Sequence, residues 1–168
     1  MTTLKNNRFL SSLCYYLTVF GFILLTVGFV TPFWSTSTSG EYKGLLLSCR
    51  SSWACNFEIN SITKFFSGDF SGFQVGAMTL GIAGWVLGLV ALIVIMVYSC
   101  FPITVTGVLA FIFALLSGVS GAACVIIYGS GIPNLTQVAV SWSLGLFTGG
   151  SALMITVGIL LIINVCVL

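Results

Sequence analysis

Four stretches of this sequence are each long, apolar and uncharged enough to cross a hydrocarbon layer, and they leave room for little else. A helix spans such a layer with about 20 apolar residues. The spans read as about residues 9–33, 75–98, 103–128 and 144–168, with loops at 34–74 and 129–143. Every charged residue lies at or before Asp69, so the second half of the chain has almost nothing that needs water. Only 5% of the 168 residues are charged and 58% are hydrophobic, whereas soluble domains carry roughly a quarter charged residues. The expected fold is an all-α integral membrane protein, one domain over residues 1–168.

Orientation follows from the flanks. Lys5 and Arg8 precede the first span with no acid beside them, which favours a cytoplasmic amino terminus, and four spans return the carboxyl terminus to the same side. Cleavable signal peptides have apolar cores of about 7–15 residues. The first span is longer and is followed by no small-x-small site, so it is expected to be retained. Residues 34–74 are then exterior. Lys43, Arg50 and Lys64 in that loop oppose the assignment, but Glu41, Glu58 and Asp69 balance them. The cysteine pair Cys49 and Cys55 settles it, because close cysteines in a polar loop belong in an oxidising compartment.

The loop is entered through Thr31-Pro32, where proline ends the helix. Trp34 follows, placed either as an interfacial anchor or as a structural part of the loop. Residues 45–49 and 54–57 read as two short strands around Ser51-Ser52-Trp53, which sets Cys49 opposite Cys55 on one sheet face. A disulfide there would contribute about 2–3 kcal/mol in the chain-entropy model. Residues 59–73 mix phenylalanines with Ser-Gly pairs and fit a strand, an interfacial helix or both, skimming the membrane.

Small residues mark the spans: Gly21 and Gly28, Gly84-x-x-x-Gly88, Ser117 to Ala122, and Gly145-x-x-x-Gly149 with Gly150 and Gly158. In lipid such residues let helices approach closely, and most are expected to pack the bundle internally. Ser99 to Pro102 is a tight turn, so the second and third spans are antiparallel neighbours. In the second loop Asn134-Leu135-Thr136 is a glycosylation acceptor, and residues 135–140 fit a strand beside the first-loop sheet.

What is lacking narrows the function. The net charge is +2 with no basic run, so nucleic acid is not an expected partner. There is no histidine and no acid within any span, whereas proton relays, coupled transporters and intramembrane hydrolases place ionisable groups at depth. Cys14, Cys100, Cys124 and Cys166 stand singly and lack metal-ligand spacing. Cys14, Cys100 and Cys166 lie toward cytoplasmic helix ends, where palmitoylation is possible, with Cys100 and Cys166 as the candidates, although buried small apolar residues are their plainer reading. No enzyme activity, metal or cofactor is expected.

Pro32-x-Trp34, Gly44-Leu45-Leu46-x-x-Cys49 and Cys55, set after the first of four spans, resemble the first-loop signature of the claudin superfamily. That superfamily also contains peripheral myelin proteins, epithelial membrane proteins and channel auxiliary subunits. Its signature is a tryptophan, then Gly-Leu-Trp-x-x-Cys, then a second cysteine. The resemblance matches Trp34, Gly44, Leu45 and the Cys49–Cys55 pair, while Leu46 stands where the family has its second tryptophan. The matched motif covers about twenty-four residues. It implies a left-handed four-helix transmembrane bundle carrying a small disulfide-stapled extracellular sheet.

The resemblance further implies a plasma-membrane protein that forms cell–cell junction or paracellular barrier contacts through its first loop. Its partners would be copies of itself or related four-span proteins in the same or the apposed membrane. Glu41, Lys43, Arg50 and Trp53 would line the recognition surface or pore. The alternative is an auxiliary subunit of an ion channel or receptor. That suits a sequence that runs to Leu168 within the fourth span, without the scaffold-binding tail of many claudins.

Overall fold

The computed structural model describes residues 2–37, 40–49, 55–57, 72–101, 103–131 and 138–167. It is built from four long helices, α1 (Thr2–Val30), α2 (Phe73–Cys100), α3 (Thr104–Ser130) and α4 (Trp142–Val167). Five short strands complete it: β1 (Ser35–Ser37), β2 (Tyr42–Lys43), β3 (Leu47–Cys49), β4 (Cys55–Phe57) and β5 (Val138–Val140). Pro32 falls outside the helices, just past the end of α1, as a residue with no backbone donor should. Serine and threonine inside the helices are satisfied locally: Thr18, Thr79 and Ser151 donate to the carbonyls of Cys14, Val75 and Phe147 at 2.7–2.8 Å.

α1 begins at Thr2, so the helix extends through residues 2–8, ahead of the expected span. It ends at Val30, three residues before the expected boundary, because Pro32 cannot extend it. The other helices lie within two residues of expectation. All four contain a stretch long and apolar enough to cross a membrane, from 21 residues in α1 to 28 in α2; at 1.5 Å per residue these reach about 31 to 42 Å.

The helices pack in a ring, α1 beside α2, α2 beside α3, α3 beside α4, and α4 back against α1. Three seams are made by small residues. Between α1 and α4, a Cβ on Gly28 would stand 2.6 Å from the Phe147 nitrogen, and one on Gly150 would stand 2.7 Å from the Leu25 nitrogen. Between α3 and α4, a Cβ on Gly118 would meet the Ser151 carbonyl at 2.7 Å. Between α2 and α3, Ser117 Oγ donates to the Gly84 carbonyl at 2.7 Å. The α1–α2 seam is the sparsest and is filled by rings instead: Trp85 stacks on Phe22 and Phe29, and its indole donates to Thr26 at 3.0 Å.

The expectation that small-residue motifs serve internal packing holds for Gly84-x-x-x-Gly88, whose positions face Gly121, Ser117 and Phe22. It fails for Gly145-x-x-x-Gly149, where a Cβ on either glycine would meet nothing within 4 Å. The adjacent Gly150 does the packing. One residue rotates about 100° around a helix, so neighbours in sequence face opposite surroundings.

All the strands lie at one end of the ring, in an antiparallel sheet ordered β4-β3-β2-β1-β5. β5 pairs with β1 through Ser35↔Val140 and Ser37↔Val138, so the second loop completes the first-loop sheet. Residues 135–137 of the expected second-loop strand lie outside the described residues, as do Ser51 to Trp53 and residues 59–71. The strand expected over 45–49 is shorter and starts at Leu47, because Leu45 turns into the bundle.

Candidate functional site

The sheet is the most distinctive surface of the molecule, and it is seated through the signature residues. After Val30 the chain turns at Thr31, whose hydroxyl donates to the Val27 carbonyl at 2.6 Å and lies 2.7 Å from Ser143 Oγ. Trp34 then folds back over the end of α1. Its indole N–H donates to the Gly28 carbonyl at 2.6 Å, and its ring lies 5.0 Å from Tyr128 and 5.1 Å from Phe147. The residue is 0% exposed. Of its two expected placements, the interfacial anchor is therefore wrong: Trp34 joins the ends of α1, α3 and α4.

Its backbone is engaged as well. The Trp34 N–H donates to the Lys43 carbonyl at 3.2 Å, and its carbonyl accepts from Ser141 at 3.1 Å. The Ser143 N–H, in the first turn of α4, donates to the Phe33 carbonyl at 3.2 Å, satisfying one of the donors that a helix start leaves unpaired. Tyr128 Oη lies 3.0 Å from Ser35 Oγ and donates to the Lys43 carbonyl at 3.4 Å. Four elements thus converge on one buried aromatic pair.

Gly44 and Leu45 form the second attachment. A Cβ at Gly44 would stand 2.6 Å from Pro32 Cα and 2.8 Å from the Thr31 carbonyl, so only glycine lets the loop lie on the exit of α1. The Gly44 N–H donates to the Leu47 carbonyl at 2.8 Å, closing a small turn. That turn aims Leu45, 0% exposed, into the bundle. Its Cδ2 reaches the space a Cβ on Gly81 would occupy, a site also bordered by Cys124 and Phe29. Leu46 is half-buried against the core, so an aliphatic side chain serves where the resembled family has tryptophan.

Beyond this seat the Cys49–Cys55 disulfide ties β3 to β4 across a directly opposed pair with Cα atoms 4.0 Å apart. Cys49 is buried and Cys55 exposed. Lys43 is exposed on β2, and Glu41, half-buried, precedes it. The structure therefore brings the disulfide and Lys43 onto one sheet, with Glu41 immediately before β2. The expected recognition residues Arg50 and Trp53 and the glycosylation candidate Asn134 lie outside the described residues. At the far end of the bundle Cys100 is exposed, which corrects its reading as a buried small residue, whereas Cys14 is buried as expected; Cys124 is buried too. The Cys166 side chain lies outside the described residues.

An aromatic row went unread in the sequence. Phe33 packs on Tyr42 at 5.2 Å and on Trp142 at 5.4 Å, running from β2 to the first residue of α4, where Trp142 is 52% exposed. The available signal was a tryptophan opening an apolar span. Among the described residues no three histidine, cysteine or acidic side chains gather as a metal site. The described residues present a short, disulfide-stapled sheet with Lys43 exposed on β2, set on a close-packed base.

Comparison with protein-family models and with curated proteins finds no match to this chain.

Proposed function

We propose that this protein crosses the plasma membrane four times with both termini cytoplasmic, forms a left-handed bundle, and works by contact through its exterior sheet. In this reading it associates with copies of itself or related four-span proteins, in the same or the apposed membrane, to form a claudin-like junction or paracellular barrier. It is not an enzyme and uses no cofactor. The membrane reading is supported by the outward faces. Between 28 and 39% of each candidate span is buried inside the bundle, and the remainder carries side chains such as Phe20, Ile93, Val119 and Ile159, all at least half exposed. A continuous apolar surface of that extent is stable against lipid and aggregates in water.

The single observation that carries the contact reading is the seat of the sheet. Trp34, Gly44 and Leu45 are each committed to holding it on the bundle, and a rigid platform lowers the ordering cost of association. The test is freeze-fracture microscopy of junction-deficient cells that express the chain at their surface. Continuous intramembrane strands at cell contacts are the expected result; surface protein without strands refutes polymerisation.

A second reading, an auxiliary subunit of a channel or receptor, is favoured by the outward Gly145 and Gly149, which pack nothing within the chain. Stoichiometric co-purification with a larger channel or receptor from native membrane would select it.

A further inference from the structure

We propose that the end of the bundle opposite the sheet binds a single water molecule at Asn164 Oδ1. Asn164 lies one turn from the end of α4 and is 1% exposed. Its Nδ2 donates to Ser11 Oγ on α1 and to Tyr98 Oη on α2, both at 3.2 Å, which uses both amide hydrogens. Its Oδ1 has no partner, and it is the only such buried side-chain nitrogen or oxygen among the described residues. Elsewhere the buried hydroxyls of Thr18, Ser117 and Ser151 are all bonded. An unpaired buried acceptor costs about 1–3 kcal/mol, so with Nδ2 held by both hydroxyls Oδ1 calls for one further hydrogen-bond donor.

Water fits the surroundings. A buried water needs 2–4 polar partners. The Ser11 and Tyr98 hydroxyls bond each other, which leaves one hydroxyl proton for the water to accept while it donates to Oδ1. Asn164 and Tyr98 are both nearly fully buried, which leaves no opening for a lipid headgroup. The position is nevertheless shallow: Tyr98 is two residues from the end of α2. Gly107 at the start of α3 packs against the Tyr98 ring and Val165, closing the cluster from the fourth side. The inference needs the four-helix bundle and is independent of the junction reading.

Water-edited, proton-detected solid-state NMR of the full chain in lipid bilayers tests it, with the side-chain amide of Asn164 assigned by its loss in Asn164→Leu. The expected result is transfer from water to the Asn164 amide several-fold faster than to the backbone amide of buried Leu161, and slowed in Tyr98→Phe, which removes one hydroxyl partner. Transfer no faster than to Leu161 overturns the proposal. So does an amide found turned over, with Oδ1 accepting from the two hydroxyls and Nδ2 donating to a helix carbonyl. If Asn164→Leu does not fold, Asn164→Gln gives the same assignment by shifting the signal.

Discussion

The two ends of the bundle are held in different ways. At the sheet end the critical contacts involve backbone: Gly28 against Phe147 and Ser143, Gly44 against Pro32 and Thr31, and the Trp34 indole on the Gly28 carbonyl. At the opposite end the joining groups are side chains, the amide of Asn164 with the hydroxyls of Ser11 and Tyr98. Backbone in a helix cannot move aside for an added methyl, whereas side chains can shift rotamer. Rigidity is thus concentrated where the sheet is carried.

The comparison breaks most directly at Trp34. Trp34→Ala removes a fully buried indole and its hydrogen bond, and large-to-small aromatic changes of this kind cost about 3–5 kcal/mol. Thermal unfolding in nanodiscs should show a loss of that order, with Trp34→Phe recovering part of it. Cys49→Ser should be next: loss of the cross-link costs about 2–3 kcal/mol, and hydrogen exchange should accelerate in β3 and β4 while α2 remains protected. Equal acceleration in α2 would show that the sheet and bundle are one cooperative unit.

A smaller difference sharpens the contrast between the ends. Gly28→Ala places its methyl on the backbone of α4, whereas Gly107→Ala meets the side chains of Val165 and Tyr98. Overpacking costs about 1–3 kcal/mol, with Gly28→Ala expected at the upper end and Gly107→Ala at the lower, as read by unfolding midpoints. Smallest should be Tyr98→Phe, because hydrogen bonds between membrane helices average about 0.6 kcal/mol. A Tyr98→Phe loss exceeding that of Gly28→Ala would reverse the assignment of rigid and adjustable ends.

Lipid and cysteine chemistry made much of this structure legible in advance. A span must be long and apolar, and Pro32 closes the first one, so three helices could be placed within two residues, while α1 begins seven residues early and ends three residues short. The pairing of Cys49 with Cys55 followed from their spacing in a polar loop. The faces of the helices were not legible. When a helix is apolar all round, the sequence carries no periodicity to orient it, and nothing distinguished the outward Gly149 from the packed Gly150. β1, Ser-Thr-Ser, has no apolar alternation and forms because β2 and β5 flank it. Leu45 looked like the start of a strand because it opens an apolar triplet, and only the depth of the Gly81 site reveals it as an anchor. The aromatic row from Tyr42 to Trp142 depends on the contact of Phe33 with Trp142, 109 residues later in the chain, which no local pattern announces.

Membrane-impermeant thiol labelling of intact cells, read by mass analysis, tests the central assignment of a stapled exterior sheet on a membrane bundle. The account predicts that Cys49 and Cys55 stay unlabelled until a reductant is added outside and then label without permeabilisation, while exposed Cys100 labels only after permeabilisation. Labelling of Cys49 or Cys55 without reduction, or only in permeabilised cells, would contradict it.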